Sequence, residues 1–482
     1  MRLPDPLPLP CLPLRPLAAA FAIALALNAA PTAHASVPPH TLVVGNCDDS
    51  GAGSLRDAVD HAVDGDAIDL TQLSCSSISL TTGAILIGVE GLTLQGPGHH
   101  ALMLHGSGDS GASLLYDLGG GLLTVDGIDL SFGAKYRSDN AAHGGCIYTN
   151  GDLQVTDAHI YACTVHANTY PASGGALHAY GSMSLDNVTI ENSGLTTFGT
   201  AKGGCVFAGG GAVITNSRIS GCRNASVDTG VGGGVYSGGS LLMKYSMIDD
   251  NENDDAGHAE GGGLYVAGDT TIYWSTIANN RANFGGALAT RFDSTHAIFI
   301  GESTISGNEA GTAPGIDADM PITIENSTIA FNRMPRSNST PLDYSFGAGI
   351  GLRWSATITS TIIANNVIYD DDGEEAADIG GAIPIPVAGS NNLFMSSTQP
   401  VPADTIFDDP HLSPLADNGG STWTHAIYAG SAAMDRGLDG GYASDQRGAG
   451  FARIRGASAD IGAFEADPDA VDPDLIFADG FD

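Results

Sequence analysis

The hydrophobic and polar positions of this chain recur as a unit. A Gly-Gly step is followed by a small residue and an aliphatic one, and later by an Ile with a fixed polar residue three places on. Copies start at Gly144-Gly145-Cys146-Ile147, Gly174-Gly175-Ala176-Leu177, Gly203-Gly204-Cys205-Val206, Gly232-Gly233-Gly234-Val235, Gly261-Gly262-Gly263-Leu264 and Gly285-Gly286-Ala287-Leu288. Looser copies lie at Pro314-Gly315-Ile316 and Ala348-Gly349-Ile350. The third residues fall at 146, 176, 205, 234, 263, 287, 315 and 349, so most steps are 29 or 30 residues. A period of this length denotes stacked supersecondary units, each burying its apolar face on its neighbours.

Within residues 203–222, three short apolar or alternating stretches, 205–207, 212–215 and 217–220, are separated by Gly and Asn. Three such strands per unit cannot make an independent sheet. Wound into one turn and stacked on the next, they make three parallel sheets around a dry core. The predicted fold class is therefore all-β, a single-stranded right-handed parallel β-helix. The Gly-Gly step fits a corner needing positive φ and close backbone approach. Helical patterning is nearly absent, and 55–63 is the best candidate.

The residue three after the Ile reads Cys163, Ser193, Cys222, Asn251, Asn280, Asn308, Asn332 and Asn366. Five asparagines in register predict a ladder at a turn, each amide bonding the next coil. A row of ligand groups is the functional alternative. Cys146 and Cys163 are 17 apart, as are Cys205 and Cys222, and both pairs occupy the same two columns. Where one column is not Cys the other is not either, as in Ala176 with Ser193 and Gly234 with Asn251. Joint appearance predicts disulfides joining Cys146 to Cys163 and Cys205 to Cys222. Pairing 146 with 205 would skip a coil, roughly 9–10 Å at the usual strand spacing and beyond disulfide reach. Cys47 and Cys75 remain, and are read as a staple of an N-terminal cap. No C-x-x-C or His cluster supports a metal site instead, so no metal ligand is assigned.

Composition adds the compartment. The chain has 482 residues, 66 of them Gly, with 43% hydrophobic and 15% charged residues, ample for a large core. Residues 1–35 read as a secretory signal, with Arg2 and Arg15 as its charges, 17–27 as its apolar run and Ala33-His34-Ala35 as the cleavage site. The run is too short to span a bilayer, and nothing later is long enough. Removing the signal leaves 16 basic and 53 acidic residues, which argues against nucleic acid or anionic membranes as partners. Six cysteines then remain, an even number that suits an exported protein.

Between the fixed polar residue and the next Gly-Gly, the chain varies in length and composition, as insertions on the binding side of a solenoid do. The most acidic stretches are 249–255 and 370–375. Clustered carboxylates could hold Ca²⁺, but neither stretch has an EF-hand or β-roll spacing, and both are read as solvated loops. No cofactor is assigned. Asp249, Asp250, Glu252, Asp254 and His258 are the candidates for an unrecognised catalytic site. Tyr236, Tyr245, Tyr265, Tyr273 and Trp274 recur in successive coils, either stacked in the core or displayed to sugar rings.

Cys47-Asp48-Asp49-Ser50-Gly51-Ala52-Gly53-Ser54-Leu55-Arg56-Asp57-Ala58-Val59 resembles the Cys-Ser-Leu-Arg-Glu-Ala type N-terminal segment of secreted β-helix proteins. The Gly-Gly-Ala-Leu and Asn repeats are similar to those of the pectin-lyase-like superfamily, including polymorphic outer-membrane adhesins. Asn391-Asn392-Leu393-Phe394, Leu415-Ala416-Asp417-Asn418-Gly419-Gly420, Ser431-Ala432-Ala433-Met434-Asp435, Asp445-Gln446-Arg447-Gly448 and Asp460-Ile461-Gly462-Ala463-Phe464-Glu465 resemble the choice-of-anchor Q domain. The last residues, 474–482, are similar to a short tail on exported proteins of Gram-negative bacteria. The resulting division is a signal at 1–35, a cap at 36–75, β-helix repeats at 76–390, a choice-of-anchor Q-like segment at 391–466 and a linker with tail at 467–482. The resemblance implies an extracellular or outer-surface location.

Many β-helix relatives cleave acidic polysaccharides. Lyases of this fold remove a proton with Lys or Arg while Ca²⁺ or Arg neutralises a carboxylate. Here the three lysines, Lys135, Lys202 and Lys244, each stand alone in the sequence. The hydrolase segments are also missing, since Gly257-His258-Ala259 lacks the second Gly and Arg453-Ile454-Arg455 lies in the anchor-Q-like segment. The expected function is a binding, adhesin-like module for a glycan or cell-surface ligand, with a polysaccharide lyase or hydrolase as the alternative.

Overall fold

A computed structural model of the protein describes residues 40–108, 111–255, 258–291, 293–336 and 346–470. The secretory signal expected at 1–35 and most of the tail lie outside the described residues. The chain winds into a parallel β-solenoid with three sheets of 24, 11 and 15 strands. The largest sheet takes two strands from most coils, such as Ala212–Thr215 and Arg218–Ser220. The 11-stranded sheet takes one per coil, from Ile85–Ile87 to Ile379–Gly380. Thr41–Val43 already pairs with Ala67–Asp69, so stacking begins ahead of residue 76. The short helix Leu55–His61, capped by the Ser54 side chain, packs Leu55 and Val59 onto the first coils.

The repeat columns become columns in space. Ile147 pairs with Leu177, Leu177 with Val206, Val206 with Val235 and Val235 with Leu264, all pointing into the core. Each strand is too short to hold itself, and the stacked aliphatic files supply the burial that does. The first Gly of each Gly-Gly step has positive φ, from 58° at Gly144 to 72° at Gly232. A Cβ there would also meet the carbonyl three residues on, at 2.1 Å for Gly144.

One strand set differs from the sequence reading. The stretches 212–215 and 217–220 share one sheet, and the third sheet lies in what was read as loop, at Arg223–Ser226 and Gly230–Val231. Its inward residues in these middle coils are polar: Asn224 and Asn253 are buried, and Asn224 Nδ2 reaches the carbonyls of Ala201, Val231 and Gly232. Alternation is real there, but an apolar pattern cannot reveal it. The stretch 249–255 is likewise a strand end, a turn and the strand Glu252–Asp255. The stretch 370–375 turns between Val367–Asp370 and Gly373–Ala376, where Arg333 and Arg336 pair with Glu374, Glu375 and Asp370.

At the turn after each second strand, Asn280 Nδ2 donates to Asn308 Oδ1 at 3.0 Å, Asn308 to Asn332 at 2.9 Å and Asn332 to Asn366 at 2.8 Å. Asn251 donates to Asn280 in the same way, and Asn366 to the buried Asp378. Further up the same turn Cys163 and Cys222 are bonded to Cys146 and Cys205, and Cys47 is bonded to Cys75. Converting the second bridge to the pair that coil 176–193 uses, Cys205→Ala with Cys222→Ser, is expected to cost about 2–3 kcal/mol, the usual value for closing a loop of this size. Thermal unfolding of the double variant measures it, and an unchanged midpoint would show that stacking alone holds the corner.

After Ile406–Phe407 the chain leaves the stack and folds back along the outer face of the largest sheet. Gln446 bridges Thr276 and Thr304 at 2.9 and 2.6 Å, and His425 Nε2 accepts from Ser306 at 2.8 Å. Ile427, Ala433 and Ile461 pack on Ile362 and Leu393. Within this segment Arg447 pairs with Asp445 and stacks over Phe451 and Phe464.

Candidate functional site

A pocket of about 210 Å³ opens where the 11-stranded and 15-stranded sheets meet in the early coils, lined by Tyr116, Lys135, Arg137, Asp139, His143 and Tyr148 among others. Its floor comes from an outward-facing file of rings. Tyr116, Tyr148, His178, Phe207, Tyr236 and Tyr265 occupy the central position of successive strands, in parallel register. Neighbouring rings stack at 4.5 to 5.6 Å with planes within 13°. The spacing follows from strand separation, so identical facing forces ring onto ring. Because each face is covered by the next ring, the file offers edges to a ligand. Tyr180 differs: it stands at 81° to His178 and 89° to Tyr148, and is 53% exposed, so it leaves a face open beside the pocket.

Lys135 lies on Ala134–Arg137, the first strand of its ribbon. Its column continues as Val165, Leu195 and Asn224 in the next coils. An ammonium thus occupies a place that the next two coils fill with aliphatic side chains, at 9% exposure. Its Nζ lies 4.3 Å from the centre of the Tyr116 ring, a cation–π contact. Burial, and then the neighbouring Arg137 cation, push Lys135 down to about 8. Burial, with Lys135 adding repulsion, pushes His143 down to about 4, so this imidazole is neutral. His143 Nδ1 and His178 Nδ1 both contact Ser173 Oγ, at 2.6 and 2.9 Å, while His178 Nε2 is buried with no partner. Asp117 is engaged by Thr149 Oγ1 and the Gly119 N–H, and burial raises its pKa. The pocket therefore presents two cations, one carboxylate at Asp139, the neutral imidazole of His143 and aromatic edges: a cationic majority suited to an anionic group attached to an apolar or sugar ring.

The acidic candidates from the sequence are held apart. Asp249 is buried on the largest sheet and paired with Arg218. Asp254 lies on the 15-stranded sheet, paired with Arg223, which also lies 3.6 Å from Glu252. His258 Nε2 is 2.6 Å from Glu260. Asp250 is the positive-φ residue of the ladder turn, its pKa raised by burial and by Asp249. Of the aromatic candidates, Tyr236 and Tyr265 belong to the outer file. Tyr245 and Trp274 stack on each other at 5.0 Å at a turn, and Tyr273 packs on Phe299 and Tyr442. None fills the core. Sequence reading passed over Tyr116, Tyr148 and Tyr180 and gave Lys135 no partners, because these coils precede or open the Gly-Gly repeat and their register was not yet fixed. The 32-residue step from Tyr116 to Tyr148 was the available signal.

Residues 143–329 match the family described as right handed beta helix region. A comparison with curated proteins gives no match. Among solved structures, the crystal structure of pectate lyase Pel9A is similar at 12% identity with a TM-score of 0.33, covering 88% of this chain and 96% of that one. Family match and stacked sheets together give a right-handed parallel β-helix. Its disulfides are consistent with an extracellular protein, and no helix among the described residues is long and apolar enough to cross a membrane.

Proposed function

We propose that this is an exported β-helix protein that binds an acidic glycan without cleaving it, as an adhesin-like module does. The Lys135 ammonium carries this reading. It is set with Arg137 in a cleft of a chain with net charge −36, where stray cations do not collect by chance of composition. A carboxylated sugar would place its anion between Lys135 and Arg137 and its ring against Tyr180. We further read residues 391–466 as a choice-of-anchor Q-like segment, on the five sequence blocks it carries, and the mature chain as lying outside the cell.

A second reading rests on the same lysine. Near pH 8 a substantial fraction of Lys135 is neutral, and a neutral amine in a cleft can take a proton from a carbon beside a carboxylate. A glycan array of acidic and neutral oligosaccharides, run with an assay for unsaturated and reducing-sugar products, tests both. Binding is expected for acidic members alone. It should fade as pH rises through about 8, since Lys135 loses its charge there rather than above 10. Product formation from any polysaccharide would replace the binding reading with the enzymatic one, and an array without signal together with no product would refute both.

A further inference from the structure

On the largest sheet, away from the cationic pocket, the early coils gather a second group of side chains. We propose that His99, His100 and Asp129, with His159 beside them, form a site for a transition-metal ion of the zinc class.

Asp129 begins the strand Asp129–Ser131, which is buried along its whole length, and is itself 1% exposed. What covers it is imidazole. His100 Nδ1 lies 2.9 Å from Asp129 Oδ2, and His99 Nδ1 lies 3.7 Å from Oδ1. His99 and His100 lie in the turn between the strands Leu92–Gln95 and Met103–Gly106, where His100 has φ of 62°, and both rings reach Asp129. Their centroids are 3.6 Å apart. The Asp157 carboxylate holds this turn by accepting the His99 backbone N–H at 3.0 Å.

The next coil supplies a third imidazole. His159 sits one 30-residue step after Asp129, in the adjacent strand, and its backbone N–H donates to Asp129 Oδ1 at 2.7 Å. Its ring stands at 88° to that of His100 with centroids 5.6 Å apart, and its Nε2 lies 3.4 Å from Glu191. A ligating imidazole characteristically has its other nitrogen, or a neighbouring group, tied to a carboxylate in this way.

The donor atoms of His99, His100 and Asp129 all lie within 4.8 Å of one another. Zinc bonds of about 2.0–2.2 Å set tetrahedral donors roughly 3.3–3.6 Å apart, so small ring rotations close the set. Two or three imidazoles with one carboxylate favour zinc, copper or nickel over the oxygen-seeking Ca²⁺ and Mg²⁺. A bound cation would also take over from His100 Nδ1 as the partner of the buried carboxylate. The exposed side of His100 leaves a coordination position for water or a ligand.

The test uses the full mature chain, stripped with chelator and titrated with Zn²⁺ by calorimetry, with Co²⁺ absorption as a second readout. One equivalent of Zn²⁺ is expected to bind, Co²⁺ should give visible bands of low-symmetry coordination, and Ca²⁺ should not compete. His100→Asn keeps the left-handed turn, and His99→Gln changes an exposed side chain; each should weaken Zn²⁺ by at least about tenfold, and His99→Gln should leave the melting temperature without metal unchanged. Asp129→Asn should abolish binding. Absence of a one-equivalent site, or affinity unchanged in both histidine variants, would overturn the proposal and leave a histidine–aspartate hydrogen-bond cluster. Acidic-glycan binding at Lys135 is read separately, so failure of one site does not imply failure of the other.

Discussion

Asn308→Ala is expected to lower the stability of the protein by about 4 kcal/mol, since several buried polar groups lose partners at once and each costs about 1–3 kcal/mol when stranded. Asn308 Oδ1 accepts from the backbone N–H and the Nδ2 of Asn280, at 2.9 and 3.0 Å. Its Nδ2 serves Asn332 and the carbonyls of Ile277 and Ser306. The column sits at 0% exposure here, so water cannot take over without opening the turn. A solenoid transmits damage mainly to neighbouring coils. Hydrogen exchange should therefore quicken first at the turns of Asn280 and Asn332, while the coils before residue 200 keep their protection. Denaturation of Asn308→Ala beside the exposed Arg281→Ala measures the difference. A loss comparable to that of Arg281→Ala would mean that the ladder is not a source of stability.

Arg453→Met is expected to cost about 3–5 kcal/mol at pH 8, the usual penalty for removing one partner from a buried ionic group. Arg453 is 1% exposed, with Nε 3.1 Å from Glu302 and Nη1 3.7 Å from Glu465, both also buried. Its Nη2 donates to the carbonyls of Asp460 and Gly462 at 2.7 and 2.9 Å. This arginine joins the folded-back segment to the stack. Burial drives Glu302 well above the usual carboxylate range despite Arg453, and takes Glu465 up to about 7 from 4.5. A carboxyl raised on folding favours the native state fully below its unfolded value, and that contribution is lost as pH rises through the folded one. Hence the penalty in Arg453→Met should be larger at pH 8 than at pH 5, since Glu465 takes up its proton as pH falls through about 7 and no longer needs the cation. Limited proteolysis should release fragments from 412–470 in the variant at pH 8. A pH-independent penalty would show that packing, not charge, dominates.

The columns that stacking makes regular were the ones legible in sequence. Gly-Gly reports a corner because only Gly fits both the positive φ and the carbonyl contact. Ile with a polar residue three places on reports the second strand of the largest sheet and the turn after it. Two things escaped. The third sheet is hidden in the middle coils because Asn224, Asn253 and Ser226 face inward there, so the alternation that Val165 and Leu195 show earlier carries no apolar signal. The early coils lack the Gly-Gly mark, so nothing fixed where Tyr116, Lys135 or His99 would face. Asp129 and His159 show what could have been used, since they are one period apart and become neighbours through register alone. The acidic candidates around Asp249 failed to converge for a related reason. Asp249 ends one strand and Asp254 belongs to the next, and the turn between them places the two on different sheets with different arginines.

On the proposed reading, recognition resides in the Lys135 pocket while the repeated columns serve the stack. Calorimetric titration of a uronate oligosaccharide into the wild type, Lys135→Met and Lys244→Met addresses it directly. Lys244 also lies over a ring, Tyr273, but on the largest sheet. Loss of at least about tenfold in affinity is expected for Lys135→Met, as for any truncated partner of a partly buried charge, with Lys244→Met unchanged. Equal affinity in all three proteins, or equal loss in both variants, would contradict the claim.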